Sequence, residues 1–163
     1  DLKAGLDLVT AIKPIRFWSQ GQEVVTLLQT GDIVAAGGHV GWCLRTAKTG
    51  TPVAFTHPEI KPGVKGVAKL GYWAIMKGSP NMDAAHWYID TFISPSFQYD
   101  FSAKTGIVPV SNPALKQLAD VPIMKDMAET DPAKIAAQLK VDYAKVDLSA
   151  WVDQWNRSVT RAK

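Results

Sequence analysis

Among the 163 residues there is a single cysteine, Cys43. That excludes an internal disulfide and a cysteine-built zinc site, and it leaves the redox compartment open. No apolar run approaches the roughly 18–20 residues that cross a bilayer. Neither a signal peptide nor an initiating methionine opens the chain, which starts on Asp1-Leu2-Lys3-Ala4 in what reads as mid-helix. Lys and Arg exceed Asp and Glu only by 18 to 15, and a net +3 is too mild to argue for nucleic acid. Signatures of chemistry are missing too. His57 and His86 have no partner at metal spacing, and no HExxH or facial-triad string occurs. There is no G-x-S-x-G, and Gly37, Gly38 and Gly41 match neither the phosphate-loop spacing nor GxGxxG. Asp and Glu read as solvating helix faces rather than as acid–base pairs. No catalytic residue, metal or cofactor is expected.

What is present suffices for a core: 47% of residues are hydrophobic and 20% charged, in one domain's length without repeat, low-complexity tract or linker. Leu2, Leu6, Val9 and Ile12 repeat at helical spacing until Pro14. Ile15-Arg16-Phe17-Trp18 reads as a short strand. Ser19 with Gln22 forms a capping box for a helix carrying Val24, Leu27 and Leu28 and ending at Gly31. Residues 33–36 form a second strand, 41–48 a third helix closed by Gly50, and 52–56 a third strand. Strand and helix in turn predict an α/β fold, a mainly parallel sheet with helices on both faces. Beyond the turn-rich stretch at 57–63, residues 70–76 form a further strand. Helices then dominate: 82–93 capped by Asn81, a helix from Ser94-Pro95 to Gly106, and shorter ones at 114–119 and 133–139, each behind a cap and a proline. A last amphipathic helix opens at Ser149 and runs to Arg161. Trp87, Phe92 and Phe97 read as core, as do Trp151 and Trp155 on one helix face.

Four strings occur in a specific order over residues 17–110. They are Phe17-Trp18-Ser19 followed by Leu27-Leu28-Gln29-Thr30-Gly31-Asp32-Ile33, then Thr49-Gly50-Thr51-Pro52-Val53. After these come Trp73-Ala74-Ile75-Met76-Lys77-Gly78-Ser79 with Asn81-Met82-Asp83-Ala84-Ala85, and Phe92-Ile93-Ser94-Pro95 with Gln98 and Thr105-Gly106-Ile107-Val108-Pro109-Val110. Together they resemble the extracellular solute-binding proteins of ABC transporters, of the spermidine/putrescine-binding type, and the Trp151/Trp155 helix resembles that family's C-terminal end. The resemblance implies a three-layer αβα lobe of a type II periplasmic binding protein plus C-terminal helices. Residues 1–163 would be the second, C-terminal lobe, with the first lobe missing.

Ligands of such sheets sit beyond the carboxyl ends of the strands, where helix N-termini also point. Three segments supply those positions: Ser19-Gln20-Gly21, Gly37-Gly38-His39-Val40-Gly41-Trp42 and Lys69-Leu70-Gly71-Tyr72-Trp73. The candidate ligand contacts are therefore Ser19, Gln20, His39, Trp42, Gly71 and Tyr72. Ser19 is an ordinary N-cap or a hydroxyl contact at a helix start. His39 is a structural imidazole or a hydrogen-bonding, pH-sensitive contact, standing where the resembling family usually has a tryptophan. Tyr72 and Trp73 point to opposite faces of a strand. Gly71 takes the place of the acid that grips an amine in the resembling pattern. Since a desolvated cation needs a paired anion, this departure favours an amino-acid-like zwitterion over a bare diamine or polyamine.

The function so implied is a non-catalytic receptor for a small polar solute, periplasmic or lipid-anchored outside a Gram-positive cell, serving an ABC transporter permease in the membrane. An effector-binding domain of a regulator, or an enzyme on the same fold, is the alternative. The missing N-terminal lobe would complete the site, and dimerisation through the exposed cleft face is a further expectation.

Overall fold

Caps and prolines set most of the element boundaries. The computed structural model describes residues 2–12 and 16–159. In chain order these hold helices α1 (Leu2–Ile12), α2 (Gly21–Thr30) and α3 (Val40–Ala47), then strands β1 (Glu59–Lys61), β2 (Val64–Lys65) and β3 (Val67–Ala68). Helices α4 (Met82–Ile93), α5 (Pro95–Thr105), α6 (Asn112–Leu118), α7 (Pro122–Met127) and α8 (Pro132–Ala137) follow, then strand β4 (Leu139–Lys140), a 3-10 turn at Tyr143–Lys145 and helix α9 (Leu148–Ser158). Prolines open α5 to α8, because a residue without an N–H leaves no donor orphaned in a first turn. Ser111 and Asp131 cap α6 and α8 by accepting from the N–H groups of Ala114 and Ala133.

The chain forms two compact units, one from Asp1–Ser19 with Val141–Lys163 and one from Gln20–Lys140. In the first, α1 packs on α9 and the Phe17 ring meets Trp155 edge-on at 5.3 Å. Among its described residues, Leu6 and Val159 are buried. Asp147 caps α9, accepting from the Ala150 N–H at 3.0 Å and the Ser149 hydroxyl at 2.7 Å. The Ala150 hydrogen bond first, and the Ser149 hydroxyl second, hold its carboxyl below the ordinary aspartate value. A lowered folded-state pKa means the cap stabilises above the ordinary range near 4 and is lost as pH falls through the lowered value. Acid titration followed by circular dichroism should therefore show a loss of helix in the native chain below about pH 4 that Asp147→Asn, which keeps the cap without the charge, does not share. Superimposable acid curves would refute the charged cap.

In the second unit the core is built from Cys43 and Leu44 of α3, Leu118 of α6, and Met124, Met127 and Ala128 in and beyond α7. Val53, Phe55 and Tyr99 pack around them. Gln98, buried on α5, accepts at Oε1 from the N–H groups of Val110 and Ser111, each at 3.0 Å, and so ties α5 to the start of α6. Lys48, just past α3, donates to the Ala103 carbonyl of α5 at 2.9 Å.

The sheet content differs from the expectation. Among the described residues there are two two-stranded sheets, the antiparallel β1–β2 and the parallel β3–β4. The mainly parallel sheet expected from residues 15–18, 33–36, 52–56 and 70–76 is not formed: Ile15 lies outside the described residues, and the remainder joins no ladder. Apolar patterning marks a surface that asks for burial, but a strand also needs a neighbouring backbone to receive its N–H and C=O groups. Residues 51–57 nevertheless keep the period of a strand, with Thr51, Val53, Phe55 and His57 half-buried and Pro52, Ala54 and Thr56 exposed.

Other expectations shift as well. Gln20, not Ser19, is the N-cap of α2. Trp87 is 70% exposed rather than core, and Phe97 is 38% exposed. Ala85, Ile89 and Phe92 form the half-buried face of α4, where Phe92 meets Trp73, Phe97 and Phe101 at 4.7–5.2 Å. Trp87, two residues from both Ala85 and Ile89, points to the opposite side of the helix. Trp151 and Trp155 are 43% and 39% exposed, at the flank of their small unit instead of inside it. Pro14 and Arg161 lie outside the described residues.

Candidate functional site

Two helix starts meet at one indole. Helix α2 begins at Gly21 behind Gln20, and α3 begins at Val40 behind His39. Neither N-cap side chain accepts a hydrogen bond from its helix's first turn. The Gln20 carbonyl accepts from the Glu23 N–H and the His39 carbonyl from the Trp42 N–H, each at 3.0 Å. Trp42, in the first turn of α3, lays its ring against the backbone of both Gly21 and Gly38. A Cβ on Gly38 would stand 2.6 Å from the ring, and one on Gly21 would overlap the indole outright. Glycine at both positions is thus what lets the α2 start, the 37–39 loop and the indole stack together. The His39 imidazole meets the same indole edge-on, with ring centroids 5.0 Å apart.

Behind this junction lies a cavity of about 330 Å³, near the small end of the 300–1,000 Å³ range of ligand sites. Val24 and Leu28 of α2 form one wall, and Val53 and Phe55 another. Trp42, Cys43 and His39 close the α3 side, and the almost fully exposed Val34 stands at the rim. No Asp, Glu, Lys or Arg is among the lining residues. Burial pushes the Cys43 thiol above its ordinary pKa, so it lines the wall as a neutral group rather than a nucleophile.

Of the six residues singled out from sequence, His39 and Trp42 line the cavity and Gln20 caps the helix whose first residue Trp42 touches. Gly71 and Tyr72 are exposed, Tyr72 at 83%, and lie outside the lining. Ser19 belongs to the other unit. The sequence places Gly21 in a cleft segment without singling it out as a contact, and it does not single out Val24, Leu28, Val53 and Phe55 as lining. The cavity's Val, Leu and Phe side chains carry no signal separable from core. Among the described residues no three of His, Cys, Asp and Glu come together as a metal site, and no helix is long and apolar enough to cross a membrane.

Residues 2–139 match the family model of the bacterial extracellular solute-binding proteins. Over 143 residues, 87% of this chain, the sequence is 27% identical to a gamma-aminobutyric acid-binding protein of Pseudomonas aeruginosa. That match takes in 37% of the relative, so the chain spans well under half the length of the curated protein it resembles.

Proposed function

The chain belongs to the bacterial extracellular solute-binding proteins, and from that premise we propose that it is the second lobe of a two-lobe receptor that captures an amino-acid-like zwitterion and delivers it to an ABC transporter permease. The junction of the two helix starts at Trp42, beside the His39 imidazole, carries this reading. First-turn N–H groups and an imidazole favour an anionic oxygen, the indole offers an aromatic wall, and nothing acidic in the lining repels a carboxylate. The relative named for gamma-aminobutyric acid supports an amino acid over a polyamine. In the full-length protein the segments 33–36, 52–56 and 70–76 would pair into the parallel sheet of a three-layer lobe, which the alternating burial of residues 51–57 supports. The site would lie outside the cytoplasm and bind without chemistry.

Calorimetric titration of the full-length protein tests the reading. We expect 4-aminobutyrate to bind more tightly than putrescine or spermidine. His39→Ala should weaken 4-aminobutyrate by about tenfold, the usual cost of a hydrogen bond to a charged group. Tight putrescine binding that survives His39→Ala would overturn it.

A further inference from the structure

The excess of positive charge is gathered at one place in the larger unit. Residues 58–69 and 131–140 carry five lysines, Lys61, Lys65, Lys69, Lys134 and Lys140, against two acids, Glu59 and Asp131. Taken from 18 bases and 15 acids, that leaves 13 of each elsewhere, so these two segments hold the whole net charge of +3. The fold brings them together. Strand β1 pairs with β2, placing Glu59 opposite Lys65, and β3 pairs with β4, placing Ala68 opposite Lys140. The Gly66 N–H donates to the Pro58 carbonyl at 2.8 Å, and the Leu139 N–H donates to the Gly66 carbonyl at 3.2 Å. Helix α8, which carries Lys134, packs on β2.

All five lysines are exposed, and among the described residues none of them is in an ion pair. Each of the two acids is turned to a backbone donor. Glu59 Oε1 accepts from the Gly63 N–H at 3.1 Å, and Asp131 Oδ1 accepts from the Ala133 N–H at 2.8 Å. Among the lysines stand the exposed Ile60, Val67 and Leu139, the last two side by side in the β3–β4 register. The rest of the unit differs: Lys116 and Lys125, on α6 and α7, are interspersed along the chain with Asp120 and Asp126.

We propose that this surface rests on anionic phospholipid, with the β1–β2 hairpin and the β3–β4 ladder against the headgroups of a bilayer. Lysines are point charges on flexible stems, which suits a fluid array of phosphates. A fixed carboxylate on a protein partner would be gripped best by an arginine fork, and the two segments hold no arginine. Apolar side chains among the lysines fit the boundary between headgroups and acyl chains. Each lysine near an anionic bilayer strengthens binding about fivefold, which is slight for one and substantial for five. The attachment is reversible and salt-sensitive, and it does not depend on which solute the protein carries.

The test is co-sedimentation of the full-length protein with vesicles of phosphatidylcholine alone and of an equimolar mixture with phosphatidylglycerol. The native protein should bind the mixed vesicles at about 0.1 M salt, leave them at about 1 M, where the screening length falls to about 3 Å, and ignore phosphatidylcholine. Replacing Lys61→Gln and Lys65→Gln together should weaken binding about thirtyfold. Replacing Lys116→Gln and Lys125→Gln, the same change in net charge, should leave it within about threefold of native, since charges outside the contact are screened. Titration of each variant with 4-aminobutyrate should match the native protein, which shows that the fold and the solute site are intact. Equal losses in the two pairs would overturn the proposal, because net charge alone would then explain the binding. Native protein that takes up 4-aminobutyrate but ignores the mixed vesicles would also overturn it, leave the receptor reading standing, and give the surface to an acidic protein partner. Vesicle binding with this contrast but without solute binding would sink the receptor reading and keep the lipid surface.

Discussion

Replacing Gly106 with valine is expected to lower stability by about 4 kcal/mol, the sum of a left-handed backbone penalty and overpacking. Gly106 ends α5 with φ at 74°, where a β-branched residue is a genuine outlier. Its missing Cβ is also what lets α5 touch α3: a Cβ there would lie 2.7 Å from the Gly41 Cα and 3.0 Å from Cδ2 of the fully buried Leu44. Backbone on one side and a packed core side chain on the other leave nothing free to move aside. Gly71→Val is the matched control. A Cβ at Gly71 meets nothing within 4 Å and its φ is not positive, so the change should stay within about 0.5 kcal/mol. Urea unfolding of the two variants reads the difference directly, and equal penalties would mean that α3 and α5 do not approach through these glycines.

Leu118→Ala should cost about 3 kcal/mol, within the range for emptying a closed leucine site. Leu118 is fully buried among Leu44, Met124 and Met127, the side chains that join α3, α6 and α7. Trp87→Ala removes a much larger side chain, yet with Trp87 70% exposed the loss should be no more than about 0.5 kcal/mol. The contrast separates burial from bulk. If the tryptophan variant proved the less stable of the two in denaturant melts, the face of α4 turned toward α5 would be misassigned.

Helix boundaries were legible because they are written locally. The bounds at Asn81–Met82, Ser94-Pro95 and Gly106 fall where the sequence places them; neither the Asn81 nor the Ser94 side chain bonds its first turn, but the proline and the left-handed glycine act within one turn. Helix α7 was overlooked: it has a proline at its first position but no capping side chain, only Val121. The β1–β2 hairpin was overlooked as well, because Glu59-Ile60-Lys61-Pro62-Gly63 reads as turn chemistry and its two strands are only three and two residues long. The strands were not decidable at all from their own residues. Segment 33–36 looks like a buried strand, yet Val34 is 98% exposed, because hydrogen-bond partners come from elsewhere in the chain. The site was half legible. His39 and Trp42 stood out by type and by position in a glycine loop, whereas the cavity behind them is lined by Val, Leu and Phe that no pattern distinguishes from ordinary core.

The account's central claim is that the solute is received at the His39–Trp42 junction. Imidazole NMR on the full-length protein, titrated with 4-aminobutyrate, tests it most directly. His39, His57 and His86 are the three histidines of the chain, and each can be assigned by a single substitution. His57 and His86 are absent from the cavity lining. The account predicts that the His39 resonances move in proportion to site occupancy while those of His57 and His86 stay in place. Saturable binding that leaves the His39 resonances unmoved would contradict it.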